Sequence, residues 1–271
     1  MKSPKEINID KKIIDQVSLL KLSRHAEYVV KLLSEDSEIQ AIQEYANVVS
    51  IKRLGFNDHG PVHMRTVALN AIIMMSLLRN ASIKTSLEAE EAGNFEDSVV
   101  AVLLSCFLHD AGMSIGRQDH ELHSIYIAYP IIDRILSEVY KDDIQKHVTL
   151  RSLATEGIAG HMGNRTIHSL EAGIVLVADG CDMKKGRARI SMILSKSPKV
   201  GDIHHYSANS IEDVTFCAGT EKPIRIDVSM SSEVGFFQVE EVLLGKISAS
   251  PAKKYIELYA RVNDEPAKRY I

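Results

Sequence analysis

Cysteine, basic excess and long apolar runs are all scarce in this chain, and each shortage excludes a class of protein. Its 271 residues include three cysteines, Cys106, Cys181 and Cys217. These are too few and too scattered for a disulfide framework or a thiolate zinc site. A small buried thiol within Val99–Leu108 fits a reducing compartment, so the sequence predicts a cytoplasmic protein. The formal charge of −4 argues against general affinity for nucleic acid, which needs a basic surface. The longest apolar stretches, Val67–Leu78 and Val99–Leu108, fall short of the roughly 20 residues that a membrane span requires. The charged opening MKSPKEINIDKK lacks the apolar centre of a signal peptide. Neither a membrane nor nucleic acid is therefore an expected partner.

Strand-type alternation is also missing before residue 200. Residues 10–50 carry apolar side chains at three- and four-residue intervals, as a helix does. Turn residues at 54–61 interrupt the pattern, and Pro61 is placed to open a new helix that runs to about Asn80. The acidic stretch Glu88–Asp97 reads as an exposed loop or frayed helix. Ser98–Leu108 is apolar on nearly every side, as a central buried helix is. Further helices are expected at 118–140, with Pro130 marking a kink or fresh start, and at 143–160 and 168–182. After residue 200 the character changes. Ser210–Cys217, Ile224–Met230 and Ile256–Val262 alternate like half-buried strands, with a helix-like Phe236–Lys246 among them. The predicted fold is mainly α: a helical domain over 1–200, then a small α+β domain (β-β-α-β) over 201–271, joined by a linker at 195–200. Such a small sheet commonly pairs across subunits, so a homodimer is expected, with a regulatory small-molecule pocket as the alternative.

The most hydrophobic helix ends on His109-Asp110. Burying an ionised carboxylate beside an imidazole costs several kcal/mol unless charge and hydrogen bonds compensate, and a divalent cation supplies both. Taken alone, the pair also reads as a helix C-terminus with a solvated carboxylate. Other residues tip the balance. His63 lies in the first turn of its helix, His161 ends another, and Asp179 sits in the apolar run Ala172–Ala178. Four helices thus each bring an imidazole or carboxylate out of an apolar context. A mixed nitrogen and oxygen donor set suits Mn, Fe, Ni, Co, Zn or Mg, as one ion or two.

The ordered set His63, His109-Asp110 and Asp179 resembles the HD-domain metal-dependent phosphohydrolase superfamily over roughly residues 50–190. The resemblance implies an all-α HD-type fold and hydrolysis of a phosphomonoester or phosphodiester by metal-activated water. The expected partner is a phosphorylated small molecule, a nucleotide by preference. A metal-bound nucleotide-binding or signalling module without turnover is the alternative. Binuclear members add histidines between the HD pair and the last aspartate. Here His120 or His123, together with His161, would complete a second position with Asp110 bridging. His120 is preferred because Ser124, a small residue four positions on, stands where related sequences usually have glycine. The double histidine usual near that position is His161-Met162 here. Asp110 and Arg117 are the catalytic candidates. Arg117 is also the first choice for binding phosphate, since a guanidinium grips phosphate oxygens bidentately; Lys184, Lys185 and Arg187 are the second. Asp182, one helical turn after Asp179, reads as a partner of a metal ligand or of Lys185. His59 reads as a cleft residue or a loop cap, and His147, His168, His204 and His205 as surface or packing residues.

Overall fold

Breaks in the apolar periodicity set where the N-terminal helices end. The computed structural model describes residues 2–141, 143–185 and 203–271. It divides the segment read as one helical stretch into α1 (Pro4–Leu19), α2 (His25–Glu35) and α3 (Ser37–Val48). Lys21 takes a left-handed turn (φ 50°) between the first two. Asp36 caps the third, its carboxylate accepting from the amides of Glu38 and Ile39. A π-helical turn, Val49–Arg53, follows.

Helix α4 (Pro61–Asn80) begins at its proline as expected. It is anchored by Arg65, a fully buried guanidinium that donates to Asp10 (2.8 Å), Gln43 (2.8 Å) and the Pro61 carbonyl (3.1 Å). The entry of α4 is thereby tied to α1 and α3, two residues from His63. A short α5 (Ser86–Ala89) precedes α6 (Phe95–Leu108), every residue of which is buried. The acidic stretch before α6 is therefore only partly loop. Phe95, Glu96 and Asp97 are buried, and Asp97 closes a capping box with Asn94. The acids satisfy orphan amides at a helix start, a role that composition does not distinguish from solvent exposure.

Helices α7 (His120–Tyr140, continuous through Pro130), α8 (Ile144–Gly160) and α9 (Leu170–Gly180) pack around α6. Windows of α4 and of α6 with its following turn, residues 61–80 and 95–114, have the length and apolarity of a membrane span, more than the sequence reading allowed. They are 67% and 94% buried within the protein itself, as core helices are.

The expected linker at 195–200 and boundary near 201 lie outside the described residues. Beyond them come α10 (Ile203–Ser210), β1 (Ile211–Cys217), β2 (Ile224–Met230), α11 (Leu244–Ala249, entered through a π-helical turn), β3 (Ile256–Val262) and the two-residue β4 (Lys268–Arg269). The chain is thus mainly α with a C-terminal α+β part. Strand order follows the sequence, β1-β2-β3-β4, with β2 and β3 parallel across the α11 crossover and both outer pairs antiparallel. No strand separates the parallel pair, so this is not the split arrangement of ferredoxin-like sheets. One continuous cluster of buried side chains runs from the helices into this sheet. Contact is closest along α9, where a β-carbon on Gly173 would lie 2.7 Å from the Ser250 hydroxyl and 3.1 Å from Pro251.

Candidate metal centre

Each imidazole of the centre is fixed by the way its helix begins or ends. His109 follows the last turn of α6, and its Nδ1 donates to the Cys106 carbonyl three residues back (2.9 Å). His161, at the end of α8, repeats the arrangement with the Ile158 carbonyl (2.7 Å). His120 opens α7 after Asp119 turns through a left-handed conformation (φ 50°), and its Nδ1 donates to the Arg117 carbonyl (3.0 Å). His63, in the first turn of α4, donates from Nδ1 to the Asp182 carboxylate at 2.7 Å. All four rings are buried.

A carbonyl oxygen can only accept, so each such Nδ1 carries the proton and a neutral ring keeps its lone pair on Nε2. Those lone pairs converge. His63 Nε2 lies 3.2 Å from His109 Nε2, and His120 Nε2 lies 3.1 Å from His161 Nε2. Facing lone pairs repel unless a cation lies between them. Protonation is a poor remedy, since burial pushes His161 down to about 4 despite its hydrogen bond to Asp110.

Asp110 stands between the two pairs. Its Oδ2 lies 3.3 Å from both His63 Nε2 and His109 Nε2. Its Oδ1 lies 3.2 Å from His120 Nε2 and 3.4 Å from His161 Nε2. Two nearly equilateral ligand triangles result, sharing one carboxylate. Ligands bonded at about 2.1 Å lie about 3.0 Å apart at octahedral angles and about 3.4 Å at tetrahedral ones. Both triangles have the size one first-row divalent ion requires. Asp179 Oδ1 adds a fourth donor to the first, 3.2 Å from His63 Nε2 and 3.8 Å from His109 Nε2. Burial works to raise the pKa of both aspartates, but in the ion-free protein their basic neighbours prevail, His109 and His59 holding Asp110 well below the usual range and Lys246 and His63 doing the same for Asp179.

The residues therefore fit a metal: buried, ionised oxygen donors and oriented imidazole nitrogens, with Cys106 and Cys181 buried as neutral thiols raised by desolvation.

One expected ligand is not brought in. His123, three residues into α7, packs against Gly112 and belongs to neither triangle; its buried Nδ1 has no hydrogen-bond partner. Only the first residue of α7 reaches the cluster. Ser124, by contrast, accepts the Gly112 amide on its hydroxyl (2.8 Å) and so clamps α7 to the HD segment. Arg117 lines the cleft, with one guanidinium nitrogen 3.4 Å from His120 Nε2 and the other near Met162. Lys184 and Lys185 turn instead to β1, pairing with Asp213 and Glu212, and neither lines the cleft. Acidic residues on the outer strand hold them there, so the structure does not bring these two expected phosphate ligands to the cleft. Arg187 lies outside the described residues. Asp182 supports His63 rather than Lys185. His59 lines the cleft, held by Ser50 (2.8 Å) and Asn57 (2.7 Å).

Over 233 residues, covering 86% of this chain and 88% of the relative, the sequence is 42% identical to the uncharacterized protein MJ1020 of Methanocaldococcus jannaschii. The two belong to one family. No family model matches the chain, and no solved structure does.

Sequence reasoning missed two residues. Glu121 takes part from behind His120, 3.3 Å from its Nδ1. Lys246, on α11, bonds the outer oxygen of Asp179 and the His161 carbonyl (2.8 Å). A lone lysine on an amphipathic segment carries no signal that it crosses into another part of the chain.

The buried neutral imidazole of His161 gives a first expectation, for the metal-stripped protein. Its folded-state pKa lies below the ordinary 6.5, so the unfolded chain takes up a proton that the folded chain refuses. Stability from this group is full above pH 6.5 and is lost as pH falls toward about 4. Melting temperature in chelator should decline across that window, and a His161→Gln variant should decline less. Parallel pH profiles for the two proteins would contradict the assignment.

Proposed function

We propose that this chain is a metal-dependent phosphohydrolase of the HD type, acting on a phosphomonoester or phosphodiester of a small molecule, a nucleotide by preference. The observation that carries the reading is the pair of cation-sized triangles sharing Asp110. His63, His109, Asp110 and Asp179 would hold one ion, and Asp110, His120 and His161 a second. Bound there, the ions would supply an activated water and screen the charge that gathers on the phosphoryl oxygens. The chain's own residues supply the rest. Asp110 keeps both triangles in register by lending an oxygen to each. Asp182 and the three carbonyls fix the imidazole tautomers, which keeps Nε2 available.

The centre opens into a cleft of about 550 Å³, the size of a small-molecule site rather than a polymer track. Arg117 stands at its wall over Phe56 (6.0 Å), where a guanidinium can orient phosphoryl oxygens toward the metal ligands. Met162, Met183 and Val242 give the cleft an apolar side for the organic part of a substrate.

Loading with Mn2+ or Ni2+ and screening p-nitrophenyl phosphate, bis-p-nitrophenyl phosphate, cyclic nucleotides and nucleoside monophosphates tests the reading. Release of phosphate or nitrophenol that chelator abolishes is expected. Stoichiometric metal with every substrate untouched would instead leave a binding module.

A further inference from the structure

Among the described residues, Lys246 brings the C-terminal part of the chain into contact with the candidate metal ligands. Lys246 projects from α11, its side chain 13% exposed, and its ammonium lies between the Asp179 carboxylate and the His161 carbonyl. One contact is to a residue of the first ligand set and the other to a residue of the second, and the two residues themselves lie close together, their ligand atoms within 4.8 Å. The ammonium takes Asp179 Oδ2, which leaves Oδ1 turned toward His63 and His109. Its path is reserved, because a β-carbon on Gly180 would lie 3.0 Å from the Lys246 Cδ and 3.3 Å from Leu243 Cδ1.

We propose that Lys246 is a positioning residue of the metal centre. It presents Asp179 as a one-oxygen ligand and fixes the end of α8 that carries His161, so that residues 203–271 complete the site. The inference rests on the metal-centre reading above. Without the ammonium, Asp179 Oδ2 loses the cation bonded to it, and the carboxylate is held less firmly in the orientation that turns Oδ1 toward His63 and His109. Partners behind a metal ligand are worth about 10–100-fold in metal affinity.

Calorimetric titration of the chelator-stripped full chain with Mn2+ tests this directly. Lys246→Met should bind Mn2+ about 10–100-fold more weakly, while Lys246→Arg, which restores a cation, should recover much of the loss. Should Lys246→Met fail to fold by circular dichroism, Gly180→Ala is the second variant. It displaces the lysine stem with every charge intact and should also weaken Mn2+ binding. Wild-type affinity in folded Lys246→Met, or in Gly180→Ala where that variant replaces it, overturns the proposal, as does a wild-type chain that takes up no Mn2+. The phosphohydrolase reading fails separately. If wild type binds Mn2+ without turnover while the lysine variant binds it more weakly, the role of Lys246 stands and the hydrolase falls.

Discussion

Alanine at position 110 should abolish turnover and empty both metal positions, because no other side chain belongs to both triangles. The expected loss of kcat/KM is at least about 1,000-fold, or about 4 kcal/mol of transition-state stabilisation. Removing His120 or His63 strips one donor from one triangle. Removing Asp110 strips both triangles at once, leaving the second with imidazoles alone and the first with Asp179 as its carboxylate. Asp110→Asn should behave nearly as badly, since the amide keeps the shape and loses the charge. Elemental analysis after desalting, alongside circular dichroism to establish folding, gives the readout. Metal content equal to wild type in either variant would sink the shared-carboxylate geometry, whatever the activity.

Gly112→Ala carries the second large effect, from packing rather than charge. A β-carbon there would lie 2.1 Å from the His120 carbonyl oxygen, 2.6 Å from the Ser124 amide nitrogen and 2.8 Å from the His123 Cβ. The first two are backbone atoms, which cannot swing aside. The start of α7 must lift off the HD segment, taking His120 with it. We expect destabilisation of about 3 kcal/mol in urea unfolding, the upper range for overpacking. Mn2+ stoichiometry should fall by the His120 position while the His63 position survives. Wild-type stability and stoichiometry would show that the contact is not as close as described.

Gly112 is the point where α7 presses on the HD segment, and proximity of this kind is invisible without the fold. The four helices bearing His63, His109-Asp110, His161 and Asp179 were legible because each polar side chain interrupts an apolar pattern, which only pairing can stabilise. The strands at 224–230 and 256–262 were legible to the residue, since alternation has a fixed period.

What escaped was decided by tertiary geometry. His120 and His123 differ by three residues at a helix start; the sequence prefers His120 without settling the choice, and the structure brings His120 and not His123 into the cluster. Lys184 and Lys185 follow Asp179 closely enough to look like cleft residues, yet Glu212 and Asp213 on β1 claim both. Lys246 lies 67 residues from Asp179, and no local pattern announces the pairing.

The docking of the C-terminal part along α9 bears on how the protein can be divided. Gly173 and Gly180 are seven residues apart, two turns of one helix face, and both are pressed against residues beyond 240. The same helix ends in Asp179. Severing the chain ahead of α10 would uncover that face and take away an ammonium held against a carboxylate that faces the buried histidines. The sheet is thus no detachable appendage: excision would injure solubility and chemistry together.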